Sequence, residues 1–448
     1  MVVGDVTTAV DVLILGAGPA GYAAAIRAAQ LGRKVTLVEP GPVGGTCLNR
    51  GCIPLKALLE ASERYARTGI EELAQFGISA ETVSFDWSKM QAWKQGVIER
   101  LSNGVRRLLT GNQVELVQGI GWFLNEKEVR VEGEHGSLRF AFEHCVIATG
   151  AGAPLLPTDV LTPEQALKLD TLPEQVTIAG NDYIALELAT ALARLGVTVE
   201  LAVPGERLLP EVEPAAVRLL QTGLRKLKIR VKTGVVVEQL KARPLVVCKE
   251  VRPATAGLRL DVAGVQVDEQ GGIKVDSMMR TSNPAVYAAG DCLGSHALAA
   301  VALKQGKVAA EVLSGMRVQF APMVVPQVVQ GWPELAAAGL TAEAATQAGY
   351  QVKTGRFPLA ANGRALTLGA DLGAVFVVAD AEHETVLGGT LVGPRAADLL
   401  APLTLAIEMG ATLTDLTEIL YAHPALSEAV LEGAENALAR AIHVLNKP

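Results

Sequence analysis

"VLILGAGPAGYAAAIRAAQLGRKVTLVEP", residues 12–40, decides the fold. Val12 to Leu15 is an apolar run of strand length, an Ala-rich helical stretch follows the glycines, and a second apolar run ends at Glu39. The pattern predicts strand, turn, helix, strand. The three glycines serve different ends. Gly16 permits the tight turn, Gly18 lets a pyrophosphate approach the backbone, and Gly21 lets helix and strand pack closely. The helix start adds free N–H groups and a positive dipole end, and Glu39 stands where a ribose acceptor belongs. This is a complete dinucleotide-binding fingerprint.

The bulk properties set the bounds around it. The chain has 448 residues, half of them hydrophobic and 19% charged, so it is long enough for two or three domains with large cores. A formal charge of −7 and the absence of any Lys/Arg tract argue against a nucleic-acid partner. No apolar run reaches the length of a bilayer-spanning helix, and "MVVGDVTTAVD" at the start lacks a basic segment followed by an apolar one. The expectation is a cytoplasmic protein without membrane insertion.

A second βαβ pattern occupies residues 175–210, "QVTIAGNDYIALELATALARLGVTVELAVPGERLLP". The architecture repeats and the chemistry does not. After Gly180 the turn reads Asn181, Asp182, Tyr183, Ile184, Ala185, so the phosphate-facing glycine is a carboxylate and the packing glycine is alanine. The second strand ends at Val203, with no acid for a ribose. A carboxylate about 4 Å from a phosphate charge repels it by about 4 kcal/mol at an effective dielectric near 20, close to a thousandfold in affinity. Asp182 has an alternative role as the N-cap of the helix at Tyr183, which would make the unit a scaffold. Further on, "TSNPAVYAAGDCLGS" places a short strand before Gly290 and Asp291, ahead of an Ala-rich helix. Strand ends of this kind hold ligands in parallel sheets.

Five cysteines in so long a chain are no disulfide framework. Cys145 and Cys248 sit in apolar runs and read as small core residues. Cys47 and Cys52, in "GGTCLNRGCIPLKALL" (44–59), differ. Bridging them requires Cα atoms within about 7 Å, which a regular helix does not give at that spacing, so the segment must bend. The start of the helix after Cys52 favours a thiolate. Zinc is rejected, because no His or second Cys pair stands nearby to complete four ligands, and no other metal site is expected.

In this order, these pieces resemble the flavin-dependent pyridine-nucleotide disulfide oxidoreductases, most closely their dihydrolipoamide dehydrogenase branch. The resemblance spans the chain through "GAGPAGYAAAIRAAQLG", "GGTCLNRGCIPLKALL", "IATG" (147–150), "YAAGD" (287–291), "GRFPLAANGRAL" (355–366) and "AHPALSEAVLEGA" (422–434). It implies an α/β fold with two Rossmann-like domains and a C-terminal α+β dimerisation domain. Expected boundaries are 1–149 with 276–320 for FAD, a shortened NAD-type domain at 150–275, and an interface domain at 321–448. FAD would lie over Gly16, Gly18, Pro19, Ala20 and Gly21, with its ribose at Glu39 and Pro40. Further contacts are implied at Gly45, Thr46, Lys56, Gly121, Thr149, Gly150, Asp291, Ala297, Leu298 and Ala299.

The same resemblance makes Cys47 and Cys52 a redox-active pair, Cys52 facing the flavin and Cys47 exchanging with substrate. His423 would be the base and Glu428 its orienting carboxylate, with Lys56 and Glu187 also in the catalytic set. The family's dimer would share each site between subunits. Departures gather at the nicotinamide-nucleotide positions: Gly180 remains, but Asp182, Ala185, Val203 and Glu250 replace the usual residues, and the segment before "CKEVRPAT" is short. Leu55 and Tyr421 also depart, beside active-site groups, and "QGWPELAAAGLT" (330–341) is a worn form of a family signature. The implied activity is oxidation of a dihydrolipoyl group carried on a protein. NAD either binds weakly or in an altered pose, or a protein partner or quinone takes the electrons. Two other readings are reduction of a different small disulfide, as in glutathione-type reductases, and a non-catalytic flavoprotein subunit.

Overall fold

The computed structural model describes residues 7–69, 73–79, 81–134, 136–152, 154, 156–242, 244–248, 251–295 and 297–446. The chain forms two compact units. One comprises residues 1–57, 88–157 and 249–321, the other residues 58–87, 158–248 and 322–448.

In the first unit the fingerprint folds as strand β1 (Thr7–Leu15), helix α1 (Pro19–Gln30) and strand β2 (Val35–Glu39). β1 starts five residues before Val12 and lies parallel to β2 on one side. Two helices follow, α2 (Gly45–Asn49) and α3 (Cys52–Ala66). The sheet is completed by β3 (Glu115–Gln118), β4 (Ile120–Asn125), β5 (Glu128–Gly133) and β6 (Gly136–Ile147), in the order β3-β2-β1-β6-β5-β4. β3, β2, β1 and β6 run parallel, whereas β4 to β6 form an antiparallel meander. The strand Val286–Ala288 joins β6 in parallel and delivers Gly290 and Asp291 to the end of the sheet. Val12, Leu13 and Ile14 are fully buried, as a parallel strand covered on both faces requires. Helix Ala299–Leu313 packs on α1 so closely that a Cβ at Gly306 would lie 2.2 Å from the Ala20 carbonyl oxygen.

The second unit holds a four-stranded parallel sheet in the order Arg230–Lys232, Thr198–Ala202, Gln175–Ala179, Leu245–Val247. Helix Tyr183–Arg194 buries eight consecutive residues, Ala185 to Leu192, as its near-continuous apolar sequence predicts. The chain's last third forms a five-stranded antiparallel sheet, Gln327–Val329, Leu335–Gly339, Val386–Val392, Ala374–Asp380 and Val352–Pro358. Helix Glu428–Ala437 closes one face, burying Ala429, Val430 and Ala434 in a core shared with Val375 and Val377. No helix among the described residues is long and apolar enough to cross a membrane.

Candidate redox active site

The turn after β1 is built by backbone contacts. Gly16 sits at φ +101°, and a Cβ there would lie 2.3 Å from the Ala148 carbonyl oxygen; one at Gly21 would lie 1.8 Å from the Gly16 oxygen. The fold itself therefore demands both glycines. Gly18 is different. Its φ of −71° suits any residue, and a Cβ would meet only the Gly45 Cα, at 3.8 Å. What asks for glycine there is space beyond the protein. Gly18 is also the N-cap of α1 and supplies no side-chain cap, leaving the helix start to a ligand. The Thr149 hydroxyl is buried without a hydrogen-bond partner among the described residues, a second sign of a missing polar neighbour. These features fit a dinucleotide pyrophosphate.

Glu39 does more than its position in the sequence reveals. Its Oε2 accepts the Ala17 N–H at 2.7 Å and its Oε1 accepts the Gly41 N–H at 2.9 Å, so the carboxylate braces both turns beside it. Gly121 packs against Leu15, Gly150 turns at φ +73°, and Leu298 is the N-cap of the helix that begins at Ala299. Burial raises the Asp291 carboxyl above its usual range.

The cysteine segment rests on this turn. The Gly44 N–H donates to the Ala17 carbonyl at 2.8 Å, and a Cβ at Gly45, φ +59°, would lie 2.6 Å from the Gly18 Cα. Cys47 belongs to α2, Arg50 and Gly51 interrupt the helix, and Cys52 opens α3. The predicted bend is thus a break between two helices, stapled by the Gly51 N–H to Thr46 oxygen bond of 2.7 Å. Both cysteines are half-buried thiols. The sequence favours a stabilised thiolate here; Cys47 goes the other way. Its hydrogen bond with Cys52 pushes its pKa far up, followed by burial and the negative charge of Cys52, while Lys56, one helical turn beyond Cys52, pulls it down. Two thiols in contact resist losing two protons. Tyr22, which sequence reasoning passed over, also lies in this field: burial raises its hydroxyl first, and the charges of Cys47 and Cys52 add to that. Leu55 is buried.

In the second unit, the corresponding turn closes on itself. The Asp182 carboxylate accepts the Ala185 N–H at 2.8 Å and caps the helix. Burial raises this carboxyl, against the backbone hydrogen bonds of Ala185 and Ile184. Asn181 donates to the Arg207 carbonyl and accepts the Leu209 N–H, both at 2.9 Å, tying down the loop after the second strand. Gly180 is required by the protein's own packing, since a Cβ there would lie 2.8 Å from that of Cys248 and 2.9 Å from that of Ala185. Cys248 packs against this turn, and burial followed by the charge of Asp182 raises its thiol well above the usual range; Cys145 is fully buried. Val203 is fully buried just past the strand end. Glu250 lies outside the described residues.

His423 and Glu428 meet, as the family resemblance implies. The imidazole Nδ1 lies 2.8 Å from Glu428 Oε1, and Glu428 Oε2 accepts the Ala425 N–H at 2.7 Å. The His423 side chain is 81% exposed. For Glu428, burial pushes the carboxyl up but is outweighed by the Ala425 N–H and by His423, which hold it below its usual range. Tyr421 donates to the Leu416 carbonyl at 3.2 Å. Glu187 is fully buried, and its Oε1 accepts the Gln330 N–H at 2.8 Å. No metal-ligand cluster occurs among the described residues.

Two nucleotide-type folds, one with an open phosphate turn against a cysteine pair, define the flavoprotein disulfide oxidoreductase class. The family model for pyridine nucleotide-disulphide oxidoreductases matches residues 10–306, and that for the family's dimerisation domain matches residues 325–434. The chain belongs to the pyridine nucleotide-disulphide oxidoreductase family and is an FAD-dependent enzyme of it. It is 41% identical to the dihydrolipoyl dehydrogenase of Thermus scotoductus, covering 98% of this chain and 99% of the relative. The dihydrolipoyl dehydrogenase of Haloferax volcanii is 40% identical, with all of both chains covered. Among solved structures, LpdA from Mycobacterium tuberculosis shares the fold, with a TM-score of 0.88 at 24% identity over 95% of this chain and 99% of that one.

Proposed function

We propose that this enzyme oxidises a dihydrolipoyl group carried on a protein, through the Cys47–Cys52 pair. With the pair oxidised, a substrate thiolate attacks the Cys47 sulfur, breaks the S–S bond and leaves a mixed disulfide and a Cys52 thiolate. The second substrate sulfur then closes onto the first, releasing a cyclic disulfide and reduced Cys47. His423 takes the proton from the incoming thiol, and Glu428 fixes its ring so that Nε2 faces the substrate. FAD, when bound, accepts the electron pair from the reduced cysteines. Gly16 to Gly21, Glu39, Pro40, Gly45, Thr46, Lys56, Gly121, Thr149, Gly150, Asp291 and residues 297–299 form its proposed contact set.

The site is proposed to be completed in a homodimer, His423 of one protomer serving the cysteines of its partner. In support, the C-terminal part carries the family's dimerisation domain and leaves Leu405, Met409, Ile419 and Leu420 exposed. We also propose that NAD(H) is not held at the second turn in the manner of a dinucleotide fold. Its helix N-terminus is already capped by Asp182, whose charge opposes a pyrophosphate.

The observation that carries the reading is the joining of the open Gly18 turn to the cysteine segment through Gly45 and the Gly44 N–H. Its test is anaerobic reduction of the purified flavoprotein by dihydrolipoamide. Wild type bleaches the flavin band; Cys47→Ser and Cys52→Ser each lower the rate at least about 1000-fold, and His423→Gln about 100-fold or more. A Cys52→Ser variant reduced at the wild-type rate would refute it.

A further inference from the structure

Helix Glu428–Ala437 carries Glu428, Glu432 and Glu435 at spacings of four and three, a row of carboxylates along one face. The first two each grip an imidazole by Nδ1: His423 at 2.8 Å from Glu428 Oε1, and His443 at 2.5 Å from Glu432 Oε1. The second pair is held more firmly. Glu432 is 6% exposed, and its Oε2 accepts the backbone N–H groups of Ile442 and His443 at 3.3 and 3.2 Å. Asn446 locks the same segment, accepting the Ala441 N–H at 3.0 Å and donating to the Ala441 carbonyl at 2.9 Å. The chain's end is therefore folded back so that an imidazole sits one helical turn from the His423–Glu428 couple. A row of like charges at this spacing repels itself, and a protonated His443 relieves it.

We infer that His443 is a positioning residue for the base: held by Glu432, its positive charge shares the field of Glu428 with His423 and so weakens the hold of His423 on its proton. The inference rests on the reading of His423 as the thiol base. The electrostatics run the same way. The hydrogen bond to Glu432 raises His443 above its ordinary pKa, followed by the charge of Glu432, and Glu428 and Glu435 add to the rise. His443 in return helps hold Glu428 ionised, as His423 does. Coupling of this kind is reciprocal, so two cations drawing on one carboxylate oppose each other. The remaining charged and titratable groups on this helix and its neighbours are Glu435, Arg440, Arg356, Lys353, Asp380, Asp415 and Tyr421. They are unchanged by substitution at 443.

The test is a pH titration of imidazole ¹⁵N shifts in the flavin-loaded dimer labelled at histidine, comparing wild type, His443→Gln and Glu432→Gln. In His443→Gln the His423 midpoint rises by about 0.3 pH unit, the size of a solvent-screened charge, and the pH profile of flavin reduction by dihydrolipoamide moves with it. In Glu432→Gln the His443 midpoint falls toward the ordinary histidine value. A purely structural His443 would change the melting temperature and leave the His423 midpoint in place. Identical His423 midpoints in wild type and His443→Gln, to within about 0.1 unit, would overturn the inference. Coupled midpoints in a protein that dihydrolipoamide fails to reduce would uphold the coupling and strike instead at the proposed function.

Discussion

The two dinucleotide-type turns share an architecture and differ in what fills the start of the helix. After β1, the cap is Gly18, which offers no side chain, and a methyl group there would touch only Gly45. In the second unit the cap is Asp182, whose carboxylate takes the Ala185 N–H, while Asn181 ties the next loop down. One turn leaves its donors to a ligand; the other consumes them. A βαβ unit is thus a scaffold whose capacity for phosphate depends on whether the protein's own groups satisfy the helix N-terminus.

The harshest way to break the comparison is Gly21→Val. With Cβ 1.8 Å from the Gly16 oxygen, the first turn cannot close, and the purified protein is expected to be colourless or insoluble. Ala185→Gly, the mirror change, costs about 1 kcal/mol of helix stability in a urea melt and leaves the yellow colour. Next in size is NADH affinity. Asp182→Gly removes a repulsion worth up to about a thousandfold, so a fluorescence titration should show tighter NADH binding than wild type. Gly18→Ala is predicted to keep the melting temperature of the apoprotein and weaken FAD about tenfold or more, because its methyl group intrudes only on the ligand. Weakened folding with unchanged flavin affinity would contradict that assignment.

The smallest effect is a pH dependence. Burial raises the folded-state pKa of Asp182 above its usual 3.8, so its contribution to stability is full below that value and is lost as pH rises through the raised one. Asn caps helices as well as Asp. Asp182→Asn should therefore gain stability over wild type at neutral pH, with the gap closing in acid, read as urea midpoints at pH 4 and 7.

Much of this was legible in the sequence because it is local. Glycine spacing gave both turns, the CxxxxC spacing required the break between Cys47 and Cys52, and the family resemblance paired His423 with Glu428. What escaped depends on backbone partners far along the chain. Nothing near Glu187 indicates that it will bind the Gln330 N–H 143 residues later, nor does Gln305 show that it accepts the Gly290 N–H. The second strand ends at Glu39, as its apolar run predicts, but the bracing of Ala17 and Gly41 by this carboxylate is a property of the folded turn. The return of His443 onto Glu432 likewise requires the helix to end and the chain to double back. The height of the Cys47 pKa follows from its contact with Cys52, which outweighs the pull of Lys56.

The central claim is the proposal that one sulfur pair feeds a flavin while the second fold is closed to a pyrophosphate. Stopped-flow mixing of the oxidised flavoprotein, without oxygen, with dihydrolipoamide and separately with NADH tests both halves at once. The predicted result is loss of the flavin absorbance with the dithiol and its persistence with NADH; equally fast reduction by NADH, or none by the dithiol, would contradict it.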